Sequence, residues 1–284
     1  MKVISTVKDL RETIREAGLC PVGLVPTMGA LHSGHISLVI NAMNQCPLVV
    51  VSIYVNPTQF NDKDDLRNYP RTPDEDKAFL GRYLRAGDIL FVPGDEEIYP
   101  TPVRKEYNFG NLDNVMEALH RPGHFNGVAM VVNRLFEIVQ PDFAFFGQKD
   151  FQQLAVIREL ALRAGGRPAI VGNPIVRESD GLAMSSRNRL LGPEIRRNAG
   201  IIYMTISSAS GMWKNRGVDE IREFVRSAIE GVPGFSVEYF EIADDVELKP
   251  VSSRSETVKG RKYYGCIAVK AGNIRLIDNI EFPL

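Results

Sequence analysis

Apolar positions change their period along the chain, and the changes mark its elements. Short, β-branched or wholly apolar runs at residues 22–26, 48–55, 89–92, 143–146 and 169–176 have the length of buried strands. Between them, residues 36–43, 73–85, 128–139 and 150–164 carry apolar side chains at helical spacing. In the last of these Leu154, Ile157, Leu160 and Ala161 share one face, and Gly165-Gly166 ends the helix. Strands alternating with helices predict βαβ units, hence a doubly wound parallel sheet covered by helices. After Arg177 the pattern changes: residues 193–213 and 219–229 read as helices, and 236–242, 263–269 and 274–280 as strands. The expected architecture is an α/β domain over residues 1–174 and a smaller α+β domain over residues 175–284 that covers the site. Residues 177–190 can sit between the two, and the chain shows no internal repeat.

Composition narrows the function classes. With 44% hydrophobic and 24% charged residues the chain is neither disordered nor fibrous. A net charge of -1 gives no broad cationic field, so nucleic acid is not the expected partner and a small molecule is. Residues 1–11 include Lys2, Lys8 and Asp9 and no apolar stretch, so no secretory signal is expected, and no run approaches a membrane span. Cys20, Cys46 and Cys266 are odd in number and fall in no metal-binding or CxxC pattern, which suits small apolar residues in a reducing cytoplasm.

The first candidate chemistry lies where the strand at 22–26 runs through Thr27-Met28-Gly29 into a helix beginning near Ser33-Gly34-His35. A glycine-bearing loop from a strand's carboxyl end to a helix N-terminus presents backbone N–H groups and the positive end of the helix dipole, where anions bind. His32 and His35 are three apart, so with Ser33 near the cap both imidazoles face one side of the first turn. Together they can donate to a phosphate and stabilise a pentacoordinate phosphorane. The plainer role for either histidine is to cap or pack the helix; two of the chain's four histidines in such a loop favour the phosphate.

His32-Ser33-Gly34-His35 resembles the HxGH signature of the class I nucleotidyltransferase superfamily, whose members direct attack onto the α-phosphate of a nucleoside triphosphate. Its extension, Pro-Thr-Met-Gly-Ala-Leu-His-Ser-Gly-His at 26–35, followed by Val-Val-Val-Ser-Ile-Tyr-Val-Asn-Pro-Thr-Gln-Phe at 49–60, resembles the pantothenate synthetase (pantoate–β-alanine ligase) family. Further blocks at 69–72, 121–125, 146–153, 180–188 and 276–279 match in the family's order, so the resemblance covers essentially the whole chain. Ser33 and Thr58 depart from the pattern at positions that carry none of the expected chemistry.

The resemblance implies a Rossmann-like first domain, a smaller second domain and a homodimer. It implies ATP with Mg2+, and the joining of pantoate to β-alanine through an enzyme-bound pantoyl adenylate with release of pyrophosphate and AMP, a step of pantothenate and coenzyme A biosynthesis. It places ATP at Met28, Gly29, Ala30, Leu31, His32, Ser33, Gly34, His35, Gly147, Gln148, Lys149, Asp150, Val176, Met184, Ser185, Ser186 and Arg187. Catalysis falls to His35, His32, Lys149 and Arg187, and pantoate to Gln59 and Gln153, with Gln59 also serving β-alanine.

These residue types suit those tasks. Residues 146–153 make a second strand-to-helix passage, with Lys149 as a mobile point charge for phosphate and Asp150 as an N-cap or ribose ligand. Met184-Ser185-Ser186-Arg187 offers two hydroxyls and a guanidinium to a triphosphate, although such tripeptides are common in solvated loops. Gln59 and Gln153 are neutral groups that can orient a carboxylate without quenching it as a nucleophile. Residues 61–68, polar and charged, are a candidate mobile cover that keeps water from an acyl adenylate. Asp74-Glu75-Asp76 opens a helix; Glu75 and Asp76 are the candidate magnesium ligands, and the ligand set stays open. His124 is expected to line the pocket behind the substrate contacts. Two other readings remain: a nucleotidylyltransferase that stops at the nucleotidyl product, sharing only the histidine motif, and a nucleotide-sensing module without turnover.

Overall fold

The five apolar runs become five strands of a six-stranded parallel sheet. In the computed structural model, which describes residues 1–60, 63–101 and 105–284, the six strands are β1 (Lys2–Ile4), β2 (Val22–Thr27), β3 (Leu48–Ile53), β4 (Ile89–Phe91), β5 (Phe143–Gly147) and β6 (Ala169–Asn173). Their order is β1-β4-β3-β2-β5-β6. The helices are α1 (Val7–Ala17), α2 (Ser33–Gln45), α3 (Lys63–Asn68), α4 (Pro73–Leu80), α5 (Asp95–Ile98), α6 (Glu117–His120), α7 (His124–Val139), α8 (Phe151–Arg163), α9 (Pro193–Asn198), α10 (Ile201–Met212) and α11 (Val218–Glu230). A second, antiparallel sheet follows, with β7 (Phe235–Asp244), β8 (Tyr263–Ala271) and β9 (Ile274–Glu281) in that order.

The chain forms two compact units. The first comprises residues 1–109, 120–148 and 156–174; the second comprises 110–119, 149–155 and 175–284. In the first, Val25, Val49, Val51, Leu90 and Phe145 of the sheet and Ile36, Val39 and Ala42 of α2 share one core. In the second, α10 and α11 pack against the antiparallel sheet through Trp213, Ile221, Val225, Phe240, Ile267 and Phe282. The Rossmann-like sheet and the smaller α+β part expected from the sequence are both present. Among the described residues no helix is long and apolar enough to cross a membrane.

The topology positions the histidine loop. Central β2 pairs with β3 on one side and β5 on the other. Strand order advances through β3 and β4 in one direction and through β5 and β6 in the other, so the direction reverses at β2. Open α/β sheets bind ligands beyond the carboxyl ends of the strands at such a reversal, and residues 28–32 leave β2 there.

One expectation fails, and the structure adds two elements before β2. The periodic stretch 193–213 is two helices, α9 and α10, broken at Ala199-Gly200. A β-carbon on Gly200 would meet the Asp180 carbonyl oxygen at 2.6 Å, so the chain bends where a neighbouring turn approaches its backbone. Near the N-terminus the structure adds β1 and α1; α1 carries Val7, Leu10 and Ile14 at helical spacing, and Leu10 is its one buried residue. Its ends are nonetheless marked, by the Thr6 side chain accepting the Asp9 N–H at 3.1 Å and by Gly18 in the left-handed region at φ 58°. Of the candidate cover at 61–68, residues 61 and 62 lie outside the described residues, and 63–68 form α3.

Candidate active site

The loop after β2 is held by its own polar groups. Thr27 Oγ1 donates to the Ser52 carbonyl at 2.8 Å and accepts from the Gly29 N–H at 3.3 Å. Gly29 and Ala30 then take positive φ values of 79° and 49°, a conformation that glycine adopts freely and alanine does not. A buried carboxylate compensates the alanine. Asp76, in the first turn of α4 and 3% exposed, accepts the Ala30 N–H at 2.9 Å and the Leu31 N–H at 2.7 Å. The acid cluster at 74–76 thus supplies the anchor of the loop, and a β-carbon at Gly29 would lie 2.9 Å from Asp76 Oδ2.

His32, not Ser33, caps α2. Its Nδ1 accepts the Gly34 N–H at 3.1 Å, and His35 Nδ1 reaches back to accept the His32 N–H at 3.3 Å, a capping box made of two histidines. The rings lie 4.1 Å apart between centroids at 37°. The capping role weighed against phosphate binding in the sequence is therefore observed, and it uses only the Nδ1 edge of each ring. With each Nδ1 accepting, the ring proton sits on Nε2, and both imidazoles carry a donor on the edge away from the backbone.

Gln59 ends a 3-10 turn, Pro57–Gln59, after β3, and is 8% exposed rather than a surface glutamine. Its Oε1 accepts from Asn56 Nδ2 at 3.3 Å, and its Nε2 points to Met28 Sδ at 2.8 Å. A thioether is a weak acceptor, so a substrate oxygen can take this amide proton with net gain. Asn56, 1% exposed, fixes the turn: Nδ2 also donates to the Gly127 carbonyl at 3.1 Å, and Oδ1 accepts from Thr58 Oγ1 at 3.0 Å and Tyr99 Oη at 3.1 Å. Burial raises the Tyr99 phenol, and burial with the Asp95 carboxylate at 2.9 Å raises that of Tyr54, so both remain protonated donors. His124 is buried behind the turn, with Nδ1 2.8 Å from the Gln59 carbonyl and Nε2 3.1 Å from Arg121 Nη1. Asn56 is the residue the sequence reading overlooked. An Asn-Pro step directly after a buried strand was its signal, because asparagine there closes a turn with its own side chain.

Met28, Gly29, Ala30, Leu31, His32, Ser33, Gly34, His35, Gln59, Gly147 and Gln148 belong to the first unit. Lys149, Asp150, Gln153, Val176, Met184, Ser185, Ser186 and Arg187 belong to the second. In the second unit the Asp150 carbonyl accepts the Leu154 N–H at 2.9 Å, so Asp150 stands at the start of α8, with Lys149 Nζ 3.6 Å from its carboxylate. Gln153 is half-buried on the first turn of α8. Its neighbour Gln152, 3% exposed, accepts the Glu117 N–H and donates to the Leu112 and Val115 carbonyls, tying residues 112–117 to that turn. Ser185 Oγ accepts the Arg187 N–H at 3.3 Å and starts the 3-10 helix Ser186–Leu190. The three cysteines are free thiols, Cys20 exposed and the other two buried. Burial raises both buried thiols, which fits packing residues.

A parallel sheet with a histidine-capped helix at its point of reversal is a Rossmann-like arrangement, and its histidine motif resembles that of the HxGH nucleotidyltransferases. The family model described as pantoate–β-alanine ligase matches residues 2–281. The pantothenate synthetase of Bacteroides thetaiotaomicron is 49% identical over 284 residues, 99% of each chain. That of Porphyromonas gingivalis is 45% identical over 99% of each. Among solved structures, the pantothenate synthetase of Thermus thermophilus superposes with a TM-score of 0.89 at 41% identity over all of both chains. A pantoate–β-alanine ligase from Francisella tularensis, complexed with β-γ ATP and β-alanine, gives 0.80 at 31% identity over 99% of this chain and 98% of the other. The chain belongs to the pantoate–β-alanine ligase family, as its motif order led us to expect.

Proposed function

We propose that this protein condenses pantoate with β-alanine in two steps. The pantoate carboxylate attacks the α-phosphorus of ATP in line, releasing pyrophosphate. The β-alanine amine then attacks the acyl carbon of the pantoyl adenylate and displaces AMP. The observation that carries this reading is the reciprocal histidine cap at the sheet's reversal, which aims two Nε2–H donors away from the backbone. Donors fixed in advance stabilise the charge that develops on a phosphorane without reorganising. Lys149 and Arg187 hold phosphate charge, and Gln59 and Gln153 orient pantoate through neutral amides that leave its carboxylate nucleophilic. Gln59 Nε2 exchanges Met28 Sδ for a substrate oxygen. No protein nucleophile takes part. The family resemblance further supports a homodimer, and three free thiols suit the cytoplasm.

Among the described residues no group of three or more His, Cys, Asp or Glu is placed to hold a metal ion. Magnesium keeps waters and binds through few carboxylates, so this chain fits an ion that comes with the triphosphate and neutralises its charge. Asp76 is then an anchor, not a ligand. Asp76→Asn sets an amide against one of the two backbone donors, so we expect a loss of about 3 kcal/mol in a denaturant melt and about tenfold in activity. Raising magnesium should restore neither; recovery of activity with magnesium would make Asp76 a metal ligand.

The order of steps is tested by exchange of labelled pyrophosphate into ATP. Exchange should require pantoate and proceed without β-alanine. Dependence on β-alanine would overturn the order, and a stable adenylylated product in place of AMP would return the chain to plain nucleotidylyl transfer.

A further inference from the structure

The block at 276–279 has no part in the chemistry so far, yet two of its residues are among the most buried polar groups of the second unit. Asp278 and Asn279, near the end of β9, are 4% and 2% exposed. Asp278 takes a bidentate pair from Arg177, Nη1 to Oδ2 at 2.6 Å and Nη2 to Oδ1 at 3.0 Å, while Oδ1 also accepts the Asn279 N–H at 2.7 Å. Arg177 further donates to the Asn279 carbonyl at 3.3 Å and the Gly181 carbonyl at 3.0 Å, and lies 3.8 Å from the Tyr203 ring centroid. Both terminal nitrogens of its fork thus donate twice. Asn279 Nδ2 donates to the Lys149 carbonyl at 3.1 Å.

Both partners lead to residues given a phosphate role above. Lys149 is itself one. Arg177 begins a hairpin: Arg177 bridges Ala183, the Glu178 N–H meets the Leu182 carbonyl at 2.8 Å, and the Met184 N–H meets the Val176 carbonyl at 2.9 Å. The hairpin delivers the chain to Ser185, Ser186 and Arg187. Asn188 closes it by donating to Glu178 Oε1 at 2.7 Å and the Ala183 carbonyl at 3.1 Å.

We propose that Asp278 and Asn279 are positioning residues that clip the Lys149 peptide and the Arg177 hairpin to adjacent points of one strand, so that Lys149 and Arg187 are set in register before the nucleotide arrives. The proposal rests on the phosphate roles given above to Lys149 and Arg187. A buried ion pair adds little net stability, but removing one partner leaves an uncompensated buried charge, so the two groups stay together. An amide suits position 279, because a carboxylate there would face the Lys149 carbonyl with no proton to share. Displacement of a charged group by about an ångström at a reacting phosphate is enough to cost a large rate factor.

The test is a double-mutant cycle read by pyrophosphate exchange. Asn279→Ala should lower kcat/KM for ATP about tenfold while the KM for β-alanine in the full reaction stays within about twofold. In a Lys149→Ala background the same change should cost less than about twofold, because contacting partners are not additive. Asp278→Asn should behave likewise against Arg187→Ala. Equal losses in both backgrounds, or no loss from Asn279→Ala, would overturn the clip. Full activity in Lys149→Ala alone would instead overturn the phosphate role on which it rests, so the two failures are distinguishable. Asn279→Asp keeps the shape and removes the donor, and should match Asn279→Ala. If both 279 variants unfold, the pair serves folding and the proposal fails.

Discussion

His35→Ala should lower the rate of pyrophosphate exchange about 10³-fold, the upper end of what one preorganised donor to a developing oxyanion is worth. The ring also supports the fold, because its Nδ1 accepts the His32 N–H; losing that bond should cost about 1 kcal/mol in a thermal melt. The two effects separate in His35→Gln. Glutamine at the third helical position reaches back to the cap N–H as it does in ordinary capping boxes, but presents nothing where the imidazole Nε2 stands. Stability should return to within a few tenths of a kcal/mol of the parent, again on the scale of a single cap, while the rate stays near that of His35→Ala. A His35→Gln enzyme that recovered the parent rate would mean that the cap, not the Nε2 donor, is what α2 contributes.

The histidine loop was legible because its signals are local: a buried strand, a glycine, a helix start and two histidines three apart within fourteen residues at 22–35. Even there the cap was misplaced. Serine is the better cap by preference, yet Ser33 is exposed and the chain uses His32, because only a ring one residue earlier can cap with Nδ1 and still present Nε2. What sequence did not show depends on backbone groups distant in the chain. Asp76 looked like any acid in a helix's first turn, a place the dipole favours regardless; its partners are N–H groups 45 and 46 positions away. Asn56 stood inside the motif at 49–60, but its ties to Tyr99 and Gly127 span 43 and 71 positions. The break at Ala199-Gly200 leaves the apolar period intact, and the Asp180 carbonyl that closes on Gly200 is distant in the chain. Motifs therefore named the groups proposed to meet substrate, and only the fold named the groups that hold them.

Gly127→Ala is the sharpest test of that holding. Helix α7 passes the Pro57–Gln59 turn backbone to backbone. A β-carbon on Gly127 would stand 2.3 Å from the Thr58 carbonyl oxygen, 2.5 Å from its carbon and 2.7 Å from the Gln59 Cα. None of these is the end of a flexible side chain, so the turn or the helix must move by about an ångström to reach ordinary contact, in a region close-packed as protein interiors are. The Gly127 carbonyl also accepts from Asn56 Nδ2, and the His124 ring holds the Gln59 carbonyl, so neither side can shift alone. The expected outcome is a fall of about 10²-fold in kcat/KM for pantoate, the scale of a one-ångström misplacement, with the KM for ATP within about twofold of the parent. Gly211→Ala is the control. It lies in α10 with open space at its β-carbon, and should leave the kinetics unchanged while stabilising the fold by about 0.5 to 1 kcal/mol. A Gly127→Ala enzyme with the parent kcat/KM for pantoate would mean that Gln59 is not what recognises the acid, since that methyl cannot be seated without moving it.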